Sequence, residues 1–321
     1  MELAAGFSFQ PLPPLEDPVH FPFADVANPL GPLAGLVGTW SGRGFNVIWR
    51  PNHTAGQDHF LELNVTSEQL EFDAISGPIP NRGLLQADIN LFGLTYLQQI
   101  SDANLNAGLH IEPGLWVDIP ATTNPKEGPT VARLASIPHG TTILAQGTGS
   151  SATTAPKIPA VAITPFTVNS PASTISFPEQ TLATTSKFRT SGAGLTGITQ
   201  KMLDNPNSVL TAAIASQHIT ATTTLQVSTN DLPVPGGGTQ NTAFLKGGTG
   251  GANARTARTT ATFWLETLEG QTSPTQLQYS QLVLLNFNGL SWPHITVATL
   301  TRQSGAAPAA AQVDPPQDSA S

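Results

Sequence analysis

An all-β fold, an antiparallel up-and-down barrel of about ten strands, is what this sequence predicts. Three observations carry that expectation. Gly and Pro supply 29 and 28 of the 321 residues, and with abundant Thr and Ser they punctuate the chain with turns and disfavour long helices. Short runs of apolar and β-branched residues recur between those turns. Only one stretch has helical spacing, so the strand–helix alternation of a doubly wound sheet is missing.

In chain order, residues 1–32 read as a Pro-rich N-terminal extension and 33–302 as one barrel domain. Gly38 to Trp49 is the first strand, with Gly42 and Gly44 where a bulge or close backbone approach is expected. Asp58 to Asn64 and Ser67 to Ala74 alternate roughly and form a hairpin candidate. Leu94 to Ile100, Gly108 to Ile119, Val131 to Ile137 and Thr141 to Gln146 follow, the last two joined by Pro138-His139-Gly140. Residues 149–217 form a long insertion, wrapped on the surface or over a barrel mouth. Within it, Leu195, Ile198, Met202, Val209, Leu210, Ala213 and Ile214 have helical spacing, interrupted at Asn205-Pro206, which predicts two short helices. Ile219 to Ser228, Thr256 to Leu268, Gln276 to Phe287 and His294 to Arg302 restore the β pattern. The glycine-rich loops at Gly236 and Gly247 do not follow a strand and open a helix, so they carry no phosphate-loop signal. Residues 303–321, rich in Ala, Pro, Gln and Asp, read as a disordered tail.

Charged residues make up 11% of the chain and the formal net charge is -8. There is no basic field for a phosphate backbone, so nucleic acid is excluded as an expected partner. With no cysteine, disulfides, thiolate metal sites and thiol nucleophiles are ruled out, and a metal would need His, carboxylate, Tyr or Met ligands. The first 30 residues hold Glu2, Glu16, Asp17 and Asp25 and no Lys or Arg, unlike a secretory leader, so the expected location is cytoplasmic. No run approaches the roughly 18 apolar residues of a membrane-spanning helix.

Gly38-Thr39-Trp40-Ser41-Gly42-Arg43-Gly44 resembles the opening GTWxGxG motif of the nitrobindin family, whose barrels are related in shape to lipocalins and fatty-acid-binding proteins. Leu109-His110-Ile111-Glu112-Pro113-Gly114 is similar to the family's HxExG, and Leu134 to Gly140 to the strand and turn that follow it. Tyr279 and then Trp292-Pro293-His294-Ile295-Thr296-Val297-Ala298 resemble the terminal strands, where a His begins the last strand and binds haem iron. The likeness covers residues 33–146 and 219–302; the insertion has no counterpart in the small members. Phe45-Asn46-Val47 replaces the usual Gly and Tyr-Pro, and Trp116-Val117-Asp118 replaces a segment that often carries Arg. Pocket chemistry is therefore expected to differ from the family's.

The resemblance implies haem b with His294 as the metal ligand, leaving an open position on iron for a small ligand. Alternation puts His294, Thr296, Ala298 and Leu300 on one face and Ile295, Val297 and Thr299 on the other, so apolar patterning leaves the inward face open. His110, Glu112 and Trp116 share a face, which makes His110 and Glu112 the candidate catalytic acid–base residues. The competing reading has Glu112 satisfying His110 or a backbone amide. Trp40, Trp116, Tyr279 and Arg133 are cofactor-contact candidates, Arg133 and Arg43 as propionate partners; Trp49 and Trp264 are further candidates, with core filling the alternative role. His53, Asp58 and His59 form a weak metal-like spacing that a turn explains equally well. His139 and His218 read as exposed.

Three functions follow: nitric oxide binding with peroxynitrite isomerisation, a peroxide-dependent peroxidase with an enlarged pocket, and a haem-free carrier of a hydrophobic small molecule. A homodimer is implied by the resemblance alone.

Overall fold

The computed structural model describes residues 29–53, 58–137, 139–230, 234–249 and 251–303. The expectations for the N-terminal extension before residue 29, for the tail from residue 304 and for Pro138 lie outside the described residues. Ten strands close into one antiparallel barrel. They are β1 (Gly38–Pro51), β2 (His59–Ala74), β3 (Ile89–Asp102), β4 (Ala107–Ile119), β5 (Thr130–Ile137), β6 (Thr141–Ala152), β7 (Ile219–Ser228), β8 (Arg255–Leu268), β9 (Gln276–Phe287) and β10 (Leu290–Arg302). Each pairs with the next in sequence, and β10 returns to pair with β1, so the barrel has no free edge.

Three expectations change, the first being that β6 runs on to Ala152, so residues 149–152 of the expected insertion belong to the barrel wall and pair with β7. The hairpin between Asp58 and Ala74 is one continuous strand, because Val65 and Thr66 stay paired with Phe45 and Gly44 and no turn intervenes. His294 is the fifth residue of β10 rather than its start, and its pairing partner on β1 is Ile48. The two short helices are present as Gln200–Asp204 and Ser208–Ile214, separated at Asn205-Pro206. Among the described residues no helix is long and apolar enough to cross a membrane.

The inserted segment, from the end of β6 to the start of β7, packs on the outer wall rather than over the open mouth. Ile163, Ile198, Leu203 and Leu210 join Phe45, Val47, Trp49, Leu61, Trp292, Ile295 and Val297 in a second core outside the barrel. This explains why β10 is apolar on both faces: Ala298 and Leu300 fill the barrel while Ile295 and Val297 lie under the insertion. Trp49 and Trp264 belong to that outer core. So does the surrounding of His59, which is buried among Trp49, Phe177 and Trp292 with ring centroids 4.5–5.5 Å away. His59 Nδ1 meets Asp58 Oδ1 at 2.8 Å, and among the described residues no group of three or more ligand-type side chains is arranged for a metal.

Inside, the barrel is layered. One end is apolar: Trp40, Phe72, Leu94, Trp116, Val131 and Phe263 pack with Leu33 and Leu36 of the 3₁₀ turn Gly31–Leu36. Gly42 and Gly44 are on the inward face of β1, paired with Leu300 and Ala298 of β10. A Cβ on Gly42 would lie 2.2 Å from the Thr299 carbonyl oxygen, and one on Gly44 2.1 Å from that of Val297. Backbone contacts this tight leave room only for hydrogen, which is the physical content of the GxG pair.

Gly44→Ala should therefore destabilise the protein by about 1–3 kcal/mol and lower the thermal midpoint by roughly 2–10 °C. Calorimetry checks this; a midpoint within a degree of the parent would show that the strands can separate at no cost.

Candidate functional site

Above the apolar end lies a layer of buried polar groups, and above that a cavity of about 290 Å³ opening at the far end of the barrel. Its walls are largely apolar, with Ile48 of β1, Ile100 of β3, Leu109 of β4, Ile137 of β5 and Val283 and Leu285 of β9. Asn46, His294 and Thr296 stand on one side, His110 and His139 line it too, and Gln98, Tyr279 and Gln281 face it from the polar layer. Arg50 is at the rim, bonded to Glu62 at 2.8 Å and lying over the Phe60 ring. The short helix Ala243–Lys246 brings Leu245 to the mouth. The Thr242 N–H donates to the Gly140 carbonyl at 2.8 Å, and a Cβ on Gly140 would meet Thr242 Oγ1 at 2.6 Å, so this corner is glycine for contact reasons as well as for its φ of 121°.

The polar layer is held by charge. Arg133 is 1% and Glu112 0% exposed, and Arg133 Nη2 donates to Glu112 Oε1 at 2.5 Å. Arg133 Nε donates to Tyr96 Oη at 2.9 Å and Nη1 to Gln281 Oε1 at 2.7 Å. Tyr96 Oη in turn donates to Glu112. Burial by itself raises the Glu112 carboxyl, but the Arg133 charge with His110 and Tyr96 overturns that and holds it at about 2. The pair persists because each nitrogen of Arg133 and both oxygens of Glu112 have a hydrogen-bond partner.

A second carboxyl, Glu68, makes no ion pair with Lys or Arg among the described residues, and His110 is the one charged neighbour that acts on it. Burial drives it up to about 7, against hydrogen bonds from Thr66 Oγ1 at 2.6 Å and Tyr279 Oη at 2.5 Å. Gln98 Nε2 donates to Tyr279 Oη at 2.9 Å, so the phenol links a buried acid to the cavity.

Two histidines face the cavity with one ring nitrogen tied to the wall. His110 Nε2 lies 3.2 Å from Glu112 Oε2. His294 Nε2 lies 3.1 Å from Asn46 Oδ1, which also accepts from Thr296 Oγ1 at 3.0 Å. Burial, with His110 and His139 adding to it, lowers His294 to about 3, so its imidazole is neutral. His139 is exposed at the rim with its ring 5.4 Å from that of His110. His218 is exposed and paired with Glu269, away from the cavity.

The fold thus brings His294, His110 and Tyr279 to one cavity and sets Glu112 and Arg133 directly behind it. Trp40 and Trp116 do not reach it. Trp40 closes the opposite end, its Nε1 donating to the Leu36 carbonyl at 2.7 Å with Arg302 over its ring, and Trp116 packs edge-on to Phe263 in the apolar core. Arg133 is 1% exposed, does not line the cavity and has each nitrogen engaged in the polar layer, and Arg43 is exposed on the outer wall. Sequence reasoning missed Asn46, Glu68, Gln98 and Gln281. Asn46 carried a signal, standing within the Phe45-Asn46-Val47 departure and two residues on from the inward Gly44. The others are polar residues on alternating strands, whose facing is set by barrel closure.

No protein-family model matches this chain, and no curated protein matches it. Among solved structures it is similar to the crystal structure of Rv2717c from M. tuberculosis, at 16% identity and a TM-score of 0.41, covering 87% of this chain and 99% of that one.

Glu68 gives a pH signature. Its folded-state value of about 7 exceeds the ordinary 4.5, so its contribution to stability is complete below about pH 4.5 and lost as pH rises through 7. Glu112 acts in the opposite sense, its contribution being lost as pH falls from about 4.5 towards 2. Between pH 5 and 8 the parent should lose on the order of 2–3 kcal/mol more unfolding free energy than Glu68→Gln. Urea titrations at both pH values measure this, and parallel losses in the two proteins would refute it.

Proposed function

We propose that the cavity binds haem b through His294 and that the protein acts on small reactive ligands, nitric oxide and peroxynitrite or a peroxide. The observation that carries this reading is a half-buried imidazole, kept neutral, on the wall of a mostly apolar cavity with a second, carboxylate-backed histidine facing the same space. A neutral imidazole and an apolar slot are what a five-coordinate haem requires of a protein. His294 would hold the iron, Ile48, Ile100, Leu109, Val283 and Leu285 would contact the macrocycle, and Arg50 at the rim is the cation available to a propionate. Bound there, ferric haem would supply one open coordination position for a diatomic ligand, peroxynitrite or peroxide.

His110 supplies what a simple binding site would not need. Glu112 holds its Nε2 as a hydrogen-bond donor and stabilises an imidazolium when one forms, so His110 can take a proton from a hydroperoxide and return it. Glu112 does not itself exchange protons, since Arg133 keeps it ionised. This division of labour supports the peroxidase reading over passive binding of nitric oxide.

A second reading, a haem-free carrier of a small hydrophobic molecule, is favoured by a specific observation. The cavity, about 290 Å³, falls just under the ~300–1,000 Å³ of small-molecule pockets, a size for a small ligand. In that case the polar layer orients one polar end of the ligand and the apolar walls take the rest. Either way the partner is a small molecule. Pairing of two barrels is part of the proposal only through the family resemblance.

Adding haemin to the purified protein should give a Soret band with one-to-one stoichiometry that is lost in His294→Ala. No uptake by the parent would sink the haem reading and leave the carrier. With haem bound, His110→Ala should keep the Soret band and lower kcat/KM for peroxide by roughly 10²–10⁴-fold; undiminished turnover would remove His110 from the chemistry.

A further inference from the structure

Four adjacent strands each present polar side chains to the barrel interior at the level of the cavity: His294 and Thr296 on β10, Asn46 on β1, Asn64 on β2 and Asp102 on β3. Thr296 is the direct pairing partner of Asn46, and Asn46 of Asn64. Asn46 and Asn64 are each 4% exposed and Asp102 is 1% exposed. Buried amides cannot choose their orientation by bonding to bulk water, so each is turned by its neighbour.

The order starts at Asp102. Its Oδ1 accepts the backbone N–H groups of Asn104 at 2.7 Å and Leu105 at 2.9 Å, which fixes the carboxylate on the β3–β4 turn. Its Oδ2 then faces Asn64, and an accepting oxygen selects the amide's NH₂: Asn64 Nδ2 donates to it at 2.8 Å. Asn64 Oδ1 is consequently turned towards Asn46 and takes Asn46 Nδ2 at 3.5 Å. That leaves Asn46 Oδ1 directed at β10, where Thr296 Oγ1 and His294 Nε2 meet it. A carbonyl oxygen only accepts, so His294 Nε2 must carry the hydrogen and Nδ1 keeps the lone pair. Nδ1 has no hydrogen-bond partner among the described residues.

We infer that the Asp102–Asn64–Asn46 relay holds His294 in its Nε2–H tautomer and makes Nδ1 the atom offered to the cavity's occupant. The three relay residues are positioning residues. The inference rests on the reading of His294 as the residue that meets the occupant, whichever occupant that is. Nδ1 accepts a Lewis-acidic metal centre or an N–H or O–H donor, and it repels a carbonyl or carboxylate oxygen. A metal-bound histidine ordinarily donates its other ring N–H to a fixed acceptor, and Asn46 is that acceptor here. Its neutrality distinguishes it from Glu112 behind His110: an amide orients the ring without drawing a proton onto it, so the two cavity histidines are set up for different tasks. The relay's outer end is anchored by the insertion, because Asn104 Nδ2 donates to the carbonyls of Gly194 at 3.3 Å and Thr196 at 3.0 Å.

Long-range ¹H–¹⁵N correlation spectra of the full chain, labelled in its histidine rings and free of haem, read the tautomer directly at pH 7. His294 is assigned by its disappearance in His294→Gln. The expected pattern is Nε2–H in the parent, with the Nε2–H to Nδ1–H ratio falling roughly three- to tenfold in Asn64→Leu, the change that loss of one net hydrogen bond allows. An Nδ1–H pattern in the parent overturns the inference, and so does an unchanged ratio in Asn64→Leu. Should Asn64→Leu fail to fold, Asn64→Ser carries the same readout with the smaller change. Since no haem is present, failure of haem uptake and failure of the relay are seen in separate experiments.

Discussion

A guanidinium and a carboxylate buried at the centre of the barrel set the terms for everything around them. Arg133 and Glu112 are almost wholly removed from water, and separating them would strand an uncompensated charge, a loss of about 3–5 kcal/mol. Their neighbours are therefore fixed as well: Tyr96 and Gln281 by bonds to Arg133, His110 by its bond to Glu112. The pair divides the interior into an apolar plug below and a cavity above, and it explains why the cavity stops where it does. A barrel of this size filled with aliphatic side chains would have no such floor.

The floor also makes two carboxyls behave differently within one layer. Glu112 beside a cation is held at about 2, while Glu68, hydrogen-bonded only to neutral donors, rises to about 7. Tyr279 joins the second of these to the cavity, and Glu112 reaches it through His110. Environments that push like groups apart in this way occur where protons are handled, although structural networks do the same.

Outside, the insertion builds a second hydrophobic core. Its apolar residues cover a wall of Phe, Trp, Ile and Val side chains that would otherwise form a large exposed patch. The insertion's contact with Asn104 ties this outer core to the turn that carries Asp102, so the covering of the wall and the ordering of the cavity's hydrogen bonds share one anchor.

Much of the barrel was legible because strand and turn chemistry is local: β7 and β9 fall on the expected residues, and the two helices break at Asn205-Pro206 as the proline requires. His110 with Glu112, and Tyr279, were reachable from period-two alternation and motif likeness. Trp40 and Trp116 were drawn towards the pocket by the same motifs, and the structure puts them in the apolar end, because an inward-facing strand residue occupies a level as well as a face. Levels depend on the stagger between strands, which no single strand encodes. The facing of His294 was undecidable from β10 because the insertion buries the outer side too, and the Asn46–Asn64–Asp102 alignment joins residues 46, 64 and 102 through cross-strand register. Local spacing thus determines where this chain turns and which residues alternate; closure of the sheet decides which of them meet, since hydrogen-bond partners across a barrel are set by register and not by distance along the chain.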